Sequence, residues 1–425
     1  MKVVHLATTD LGGSYKAVER IHRALCMHGV ESVVLLRSKY HEESIGTPVI
    51  NTPFKSLVSK AKNVGNLLLS KGEIISDYFG TNMSKHPDVR EADVIILHWV
   101  NSFIGYRNVE QLLALGKPIL WVAHDMWNCT GGCHYDRYCG RYAEGCGKCP
   151  LIGSERENDV SRRNFDRKAH AVRAGRTLDD PAQTDMKSGR RADADRRPGS
   201  LTLVGPSKWS AECAEKSCIW QGRRITWIYN PIDYEQYRRL EKKDALRAKY
   251  GVETDKKIIL FGACGALSNR TKGAQNLLKA LQKLDSASYL LAVFGNKDGE
   301  RLEGCPLETR YLGYIRSEEE MTEVYNLADV FLAPSEQESF CYTVGEALAC
   351  GTPAVGFRIG GIAEQVTHQA NGYLAEYGNY EQLADGVRYC TGQPMQYIRN
   401  ANSLQEIGEQ YKKLCEELMR KKENG

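Results

Sequence analysis

Short apolar runs of strand length alternate with apolar residues at helical spacing along nearly the whole chain. That alternation restricts the fold to an α/β one built on parallel sheets. Val3, Val4, Leu6 and Ala7 form the first run, Asp10 to Ser14 makes a turn, and Val18, Ile21, Leu25 and His28 recur on one helical face. Gly29 ends that helix and Ser32–Leu36 reads as the next strand. Val94–Leu97 and Ile119–Ala123 follow, with a helical stretch around Val109–Leu115 between them. In the second half the strand candidates are Ile258–Phe261, Leu290–Phe294, Thr309–Leu312, Val330–Ala333 and Ala354–Gly356. Helical runs at Gln275–Leu284, Glu318–Asn326 and Cys341–Ala349 fill the gaps, and Ser317 with Glu320 fits a capping box. The chain ends in a helical segment, Ser403–Lys421, with Leu404, Ile407, Tyr411, Leu414 and Leu418 on one face. The expected architecture is two doubly wound, Rossmann-like domains facing across a cleft, with ligands beyond the carboxyl ends of the strands.

At 425 residues the chain is long enough for two or three domains. The expected division is 1–204, 205–395 and a terminal helical segment 396–425 returning to the first domain. A net charge of +4 gives no sign of a nucleic-acid partner. The N-terminal apolar run is broken by His5 and ends at Thr8, too short for a signal-peptide core. A cytoplasmic protein is expected. Residues 172–199, with seven basic and five acidic residues and almost nothing apolar larger than Ala, read as a mobile insertion. Pro53–Ile75 places Lys55, Lys60, Lys62 and Lys71 among Phe54, Leu57, Val58, Val64 and Leu67–Leu69. Two readings stand for it: a surface helix with its apolar side on its own core, which is favoured, or an amphipathic helix on an anionic membrane.

The sharpest chemical pattern is Glu338-Ser-Phe-Cys-Tyr-Thr-Val-Gly-Glu346, continuing through Ala-Leu-Ala-Cys-Gly-Thr-Pro353. Two carboxylates eight residues apart face one side if a helix begins near Phe340. The helix N-terminus between them suits a phosphate, and the carboxylates beside it suit sugar or ribose hydroxyls. His124 closes the strand Ile119–Ala123 at its carboxyl end, a position at which a histidine is as readily functional as structural.

The run from Pro334 to Gly361 resembles the donor-site signature of family 4 glycosyltransferases of the GT-B fold. Asn230-Pro-Ile-Asp233, Lys272-Gly273, Leu312-Gly-Tyr-Ile315 and Asn371-Gly372 stand in the family's order, and Gly12-Gly13 and His124-Asp-Met-Trp127 match in the N-terminal half. The resemblance implies a hexosyltransferase that retains anomeric configuration and uses no metal for catalysis. By the same resemblance Glu338 would face hydroxyls of the transferred sugar, Glu346 would hold the ribose, and Lys272 would neutralise leaving-group charge. Cys341, Tyr342 and Thr343 would present backbone N–H groups to the diphosphate. His124 would contact the sugar, Gly12 and Gly13 would let the first loop approach diphosphate or acceptor, and Tyr314 and Ile315 would complete the donor site. The basic residue that many members carry ahead of the Lys-Gly pair is missing; Arg270 is held as a second cation. The implied partners are a nucleotide-diphosphate sugar donor and a glycan acceptor, lipid-linked, in bacterial surface polysaccharide assembly at the inner face of the plasma membrane. A sugar-nucleotide epimerase, a phosphorylase with a pyridoxal-phosphate lysine and a catalytically degenerate sugar-nucleotide-binding or scaffold protein are the alternatives on this fold. Glycosidase chemistry is rejected because both glutamates flank a phosphate-suited helix end.

Fourteen cysteines are many for a reducing compartment. Cys133, Cys139, Cys146 and Cys149 fall within seventeen residues of a Cys-rich loop, 129–150, and Cys146-Gly-Lys-Cys149 is a Cys-x2-Cys pair. A structural zinc is the leading expectation, with free thiols next and a disulfide last. The loop also resembles that of a subgroup of these transferases acting in exopolysaccharide, capsule or O-antigen assembly.

Overall fold

The computed structural model of the chain describes residues 1–50, 52–176, 198–262, 265, 267 and 269–423. Among them lie two sheets, and every pairing of neighbouring strands is parallel. The first holds seven strands: β1 (Lys2–Ala7), β2 (Glu31–Leu36), β3 (Thr47–Pro48), β4 (Val94–Leu97), β5 (Ile119–Val122), β6 (Leu201–Gly205) and β7 (Arg224–Trp227). Its order is β3-β2-β1-β4-β5-β6-β7. The second holds six: β8 (Lys257–Gly262), β9 (Tyr289–Phe294), β10 (Glu308–Gly313), β11 (Val330–Ala333), β12 (Ala354–Phe357) and β13 (Gly372–Ala375), ordered β10-β9-β8-β11-β12-β13. In each sheet the order reverses once, between β1 and β4 and between β8 and β11. These are the points at which a doubly wound sheet opens a crevice beyond its strand ends.

The central strands carry their apolar residues on both faces because helices cover both, and β4, β5, β9, β11 and β12 are buried along their whole length. One core joins Val4, Leu6, Ile95, Leu97, Ile119 and Trp121 of the first sheet to Trp127 and Trp220. The other joins Ile259, Leu291, Val330 and Val355 to the helix faces around Leu277 and Leu383. The cap read at Ser317 is present in half: Ser317 Oγ accepts from the Glu320 N–H at 3.1 Å, but Glu320 Oε2 accepts from the N–H of Arg316, one residue before the cap, at 3.0 Å.

The chain divides into Met1–Pro231 with Leu404–Gly425, and Ile232–Ser403. The boundary expected at 204 therefore moves to 231, because β6 pairs with β5 and β7 pairs with β6, which ties residues 205–231 to the first sheet. Residues 396–403 go with the second unit, where Ile232 N–H bonds to Asn402 O at 2.8 Å. The terminal helix, Leu404–Glu423, packs against helix Gly12–Met27. Gly408 permits the approach, since a Cβ there would stand 2.4 Å from Ala24 O. His28 Nε2 lies 2.8 Å from Gln405 O, and Arg224 makes a two-pronged pair with Glu417 at 2.8 Å per bond.

Of the insertion expected at 172–199, residues 177–197 lie outside the described residues. Val172 and Arg173 are the last turn of helix Val160–Arg173, and Arg176 bridges to Ser200.

Helix Pro53–Leu69 overturns the favoured reading of its segment. Phe54, Leu57, Val64, Leu67, Leu68 and Leu69 are exposed, Leu68 to 80%. The side turned to the protein is polar or small: Asn66 exchanges bonds with the backbone of Phe79 at 2.8 and 2.9 Å, Lys62 donates to Gly80 O at 2.7 Å, and Gly65 lies against the Phe79 ring. The amphipathicity is real, but its apolar face points outward.

Candidate functional site

In the second unit both loops at the strand-order reversal carry the expected residues. After β8 a short turn, Arg270–Lys272, ends at Gly273 in the left-handed region, φ 75°. A Cβ on Gly273 would sit 1.9 Å from Pro334 O, so only glycine lets this turn press against the loop after β11. Asn276 Nδ2 bonds to the same carbonyl at 3.1 Å, and Glu336 N–H to Thr271 O at 2.9 Å. The sutured loops place Lys272 Nζ 2.6 Å from Glu338 Oε1, which also accepts from Ser335 Oγ at 3.1 Å. The Glu338 side chain is 6% exposed and that of Lys272 26%, so the pair is sheltered with its cation toward the opening. Arg270 is mostly exposed and stands 3.8 Å from Glu336 instead, outside that pair.

Helix Tyr342–Ala349 begins two residues beyond Phe340, with Cys341 as its cap at φ 71°. The Cys341 thiol is buried and pushed up to about 12, by burial first and the neighbouring Glu338 charge second. Gly360 and Gly361 hold the loop from the far side: Gly361 N–H bonds to Glu338 O at 3.0 Å, and a Cβ on Gly360 would meet that oxygen at 1.9 Å. Gln365 Nε2 donates to Phe340 O. Glu346 is 1% exposed and accepts the Tyr325 hydroxyl at 2.9 Å. It is built into the helix packing, while Glu338 lines the loop with Cys341, Tyr342 and Thr343 at the helix start. Tyr314 and Ile315 follow β10, Tyr314 well exposed and Ile315 half-buried.

In the first unit the reversal is between β1 and β4. Gly12 and Gly13 open helix Gly12–Met27 just after β1, both exposed, with nothing within 4 Å of a Cβ on either. His124 follows β5, partly exposed, and its Nε2 is 3.0 Å from Nδ1 of His98, the residue after β4. His98 Nε2 is 2.9 Å from Nδ1 of His5, in the middle of β1. Burial holds all three rings neutral: His5 is lowered to about 3, His124 to about 4, and His98 well below the usual histidine value. Asp125 turns to His134 at 2.6 Å and accepts the Trp127 N–H at 2.8 Å. Burial alone would lower His134, but Asp125 outweighs it and raises it.

His5, His98, Lys168 and the Asp125–His134 pair were not found in the sequence. A buried histidine in a strand carries no periodic signal, and the partners lie on different strands. Lys168 is wholly buried under the loop after His124, donates to Trp127 O and to Thr130 O at 2.9 Å, and sits 3.5 Å over the Trp127 ring. Burial lowers it to about 8.

Zinc is the expectation at the four loop cysteines. Among the described residues no group of three or more His, Cys, Asp and Glu is gathered to hold a metal. Cys133 and Cys149 are buried with Ile74 and Val160, Cys146 Sγ takes the Gly131 N–H at 3.3 Å, and Cys139 is half-buried. None of the four is in a disulfide, and burial raises each one, Cys146 to about 12.

Residues 242–411 match the family model described as glycosyl transferases group 1. N-acetyl-alpha-D-glucosaminyl L-malate synthase of Bacillus anthracis is 30% identical over 193 residues, 44% of this chain and 47% of that protein. D-inositol 3-phosphate glycosyltransferase of Mycolicibacterium smegmatis is 32% identical over 176 residues, 39% of each. The chain thus spans about half the length, or less, of these curated relatives. Over nearly its full length it superposes on Anabaena Alr3699/HepE, solved in complex with UDP and glucose, with TM-score 0.62 at 16% identity, covering 98% of this chain and 99% of that one. WaaG, a glycosyltransferase involved in lipopolysaccharide biosynthesis, superposes with TM-score 0.56 at 16% identity, covering 99% and 98%.

Proposed function

We propose, since this chain has the GT-B fold and residues 242–411 match the group 1 glycosyl transferases, that it transfers a hexose from a nucleotide-diphosphate sugar to a glycan hydroxyl with retention of configuration. The observation that carries the reading is the Lys272–Glu338 pair at 2.6 Å beside the start of helix Tyr342–Ala349. Breaking a glycosyl phosphate bond leaves a diphosphate whose charge must be met as it develops, and a preorganised ammonium beside a helix N-terminus meets it. Glu338 holds the ammonium in place and offers its carboxylate to sugar hydroxyls. The N–H groups of Cys341, Tyr342 and Thr343 serve the diphosphate, and Glu346 the ribose. His124 is assigned a sugar contact in this reading. The chemistry needs no resident cofactor in this reading.

The acceptor proposed is lipid-linked and the product a surface polysaccharide, with the chain held peripherally on the inner face of the plasma membrane. Helix Pro53–Leu69 supports this, since an exposed row of leucines flanked by Lys55, Lys60 and Lys71 is the composition of an interfacial helix on anionic lipid. Among the described residues no helix is long and apolar enough to cross a membrane.

The test is nucleotide release from a panel of UDP-, GDP- and dTDP-sugars by the purified chain, with and without a membrane extract as acceptor source. Turnover of one donor, abolished in Lys272→Ala and Glu338→Ala, is the expected result. Failure of every donor to bind or turn over would overturn the reading.

A further inference from the structure

The imidazoles at the strand-order reversal of the first unit form a continuous hydrogen-bonded row. His124 Nε2 faces His98 Nδ1 at 3.0 Å, and His98 Nε2 faces His5 Nδ1 at 2.9 Å. His5 Nε2 faces Ser32 Oγ at 3.0 Å, and that hydroxyl faces His22 Nδ1 at 2.9 Å. The bonded rings are nearly parallel and meet edge to edge, with centroids 5.2 Å apart and an interplanar angle of 18° for His98 with His124, and 5.1 Å and 21° for His5 with His98. The row begins at partly exposed His124, crosses the sheet through fully buried His98 and His5, and ends at half-buried His22 on helix Gly12–Met27. It is assembled from β1, β2, the ends of β4 and β5, and that helix.

A neutral imidazole has one N–H and one lone-pair nitrogen. Because both ring-to-ring contacts join a Nδ1 to a Nε2, the directions of donation are not independent. If His98 donates from Nδ1 to His124, its Nε2 must accept from His5, whose proton is then on Nδ1, and His124 also carries its proton on Nδ1. If His124 donates from Nε2, the other two rings follow, and all three are protonated on Nε2. Any mixed arrangement sets two lone pairs or two N–H groups against each other in a buried site, which costs far more than a lost bond in water.

We propose that His98 and His5 are positioning residues that commit His124 to a single tautomer, through a row of hydrogen-bonded rings anchored at Ser32 and His22. The His124 nitrogen turned away from His98, Nδ1, is thereby fixed as a donor or as an acceptor before substrate arrives, with Asp125 engaged by His134 rather than by the row. The kinetic consequence rests on the transferase reading; the tautomer assignment does not.

The experiment is a long-range 1H–15N correlation of the imidazoles in uniformly 15N-labelled full-length protein at neutral pH, assigned by single histidine substitutions. His5, His98 and His124 are expected neutral and all protonated on the same nitrogen type. Protons on different nitrogens among the three, or a charged ring, would overturn the proposal. Ser32→Ala, remote from His124 and mild enough to keep the fold, is expected to shift the His124 ring nitrogens, and unmoved signals would also overturn it. In the transfer assay His98→Phe is expected to lower kcat roughly 10- to 100-fold with donor KM within about twofold; an unchanged kcat in a normally melting variant counts against the positioning role. A chain that turns over no donor but shows one shared tautomer sinks the transferase reading and leaves the row standing.

Discussion

Both units open a crevice where their strand order reverses, and the two crevices are furnished in opposite ways. The second unit places a charged pair there, Lys272 and Glu338 at 2.6 Å, on loops sutured by Gly273, Asn276 and Gly360. The first places a row of neutral rings, His124, His98 and His5. Equivalent topological positions in two similar sheets therefore do different electrostatic work. A fixed ammonium suits a group whose charge grows during reaction, whereas a neutral polar row directs hydrogen bonds without competing for that charge. In the proposed function the first kind of furnishing serves a diphosphate and the second serves sugar hydroxyls.

The largest effect expected from breaking this contrast is at the charged pair. Lys272→Ala should lower transfer about 10²- to 10³-fold or more, the scale of removing one preorganised electrostatic contact. Glu338→Gln, which keeps the shape and the Ser335 contact but drops the charge, should lose less than Glu338→Ala. Steady-state rates on the active donor check both, with thermal melts to confirm folding. Equal rates in all three variants would erase the difference between the crevices.

The neutral row makes its own prediction through pH. His5 and His124 have folded values near 3 and 4, far below the unfolded value of 6.5. The unfolded chain therefore binds protons that the folded chain refuses, so stability is fully present above about pH 6.5 and falls as pH drops toward 4. Asp125 and Asp10 are lowered from the usual aspartate value and lose their contributions only at lower pH, which separates the two windows. The urea midpoint should drop between pH 7 and pH 4.5, and His5→Gln should flatten that drop. A flat profile in the unaltered protein would mean that the rings take up protons as readily folded as unfolded.

A smaller effect is expected at Glu346. Its buried carboxylate takes the Tyr325 hydroxyl, and Tyr325→Phe removes one bond to a charged acceptor, about 1.5–3 kcal/mol of stability. Denaturant titration measures it, and if Glu346 holds the donor as proposed, the donor KM should rise while kcat changes less, because Lys272 is left intact.

These two crevices were not equally legible. The charged one is written in local sequence: Glu338 and Glu346 stand eight apart, Lys272 precedes a glycine, and both loops follow apolar runs. What the sequence did not carry is the contact between Lys272 and Glu338, which depends on β8 and β11 being neighbours. The neutral crevice has almost no local signature, since His5, His98 and His124 come from three strands and each is a lone histidine in its own segment. The domain boundary differs for a related reason: β7, Arg224–Trp227, alternates polar and apolar residues but is only four residues long, too short to establish a strand period away from the sheet edge it occupies. The four-cysteine loop shows the converse, a local pattern without a gathered site among the described residues.

A second contrast lies within the first unit, and helix Pro53–Leu69 gives the last way to sharpen the comparison. The terminal helix has the same kind of apolar stripe, but its Ile407, Tyr411 and Leu418 are buried against the first unit. In Pro53–Leu69 the polar residues Ser59, Lys62 and Asn66 make the inward contacts and the leucines are left outside. Periodicity cannot separate these cases, because a moment gives the width of an apolar face and not what lies opposite it. If the acceptor is presented at a lipid surface, the stripe belongs to the unit that carries the neutral row. Leu67→Glu with Leu68→Glu should then weaken binding to vesicles containing anionic lipid about tenfold or more, since each buried leucine contributes roughly 1.5–3 kcal/mol at most and the glutamates add repulsion. Both side chains are exposed, so the melting temperature should barely move, and release of nucleotide with a water-soluble acceptor should be unchanged. Sedimentation with vesicles measures the first effect; retained binding in the double variant would leave the stripe without a role at a membrane.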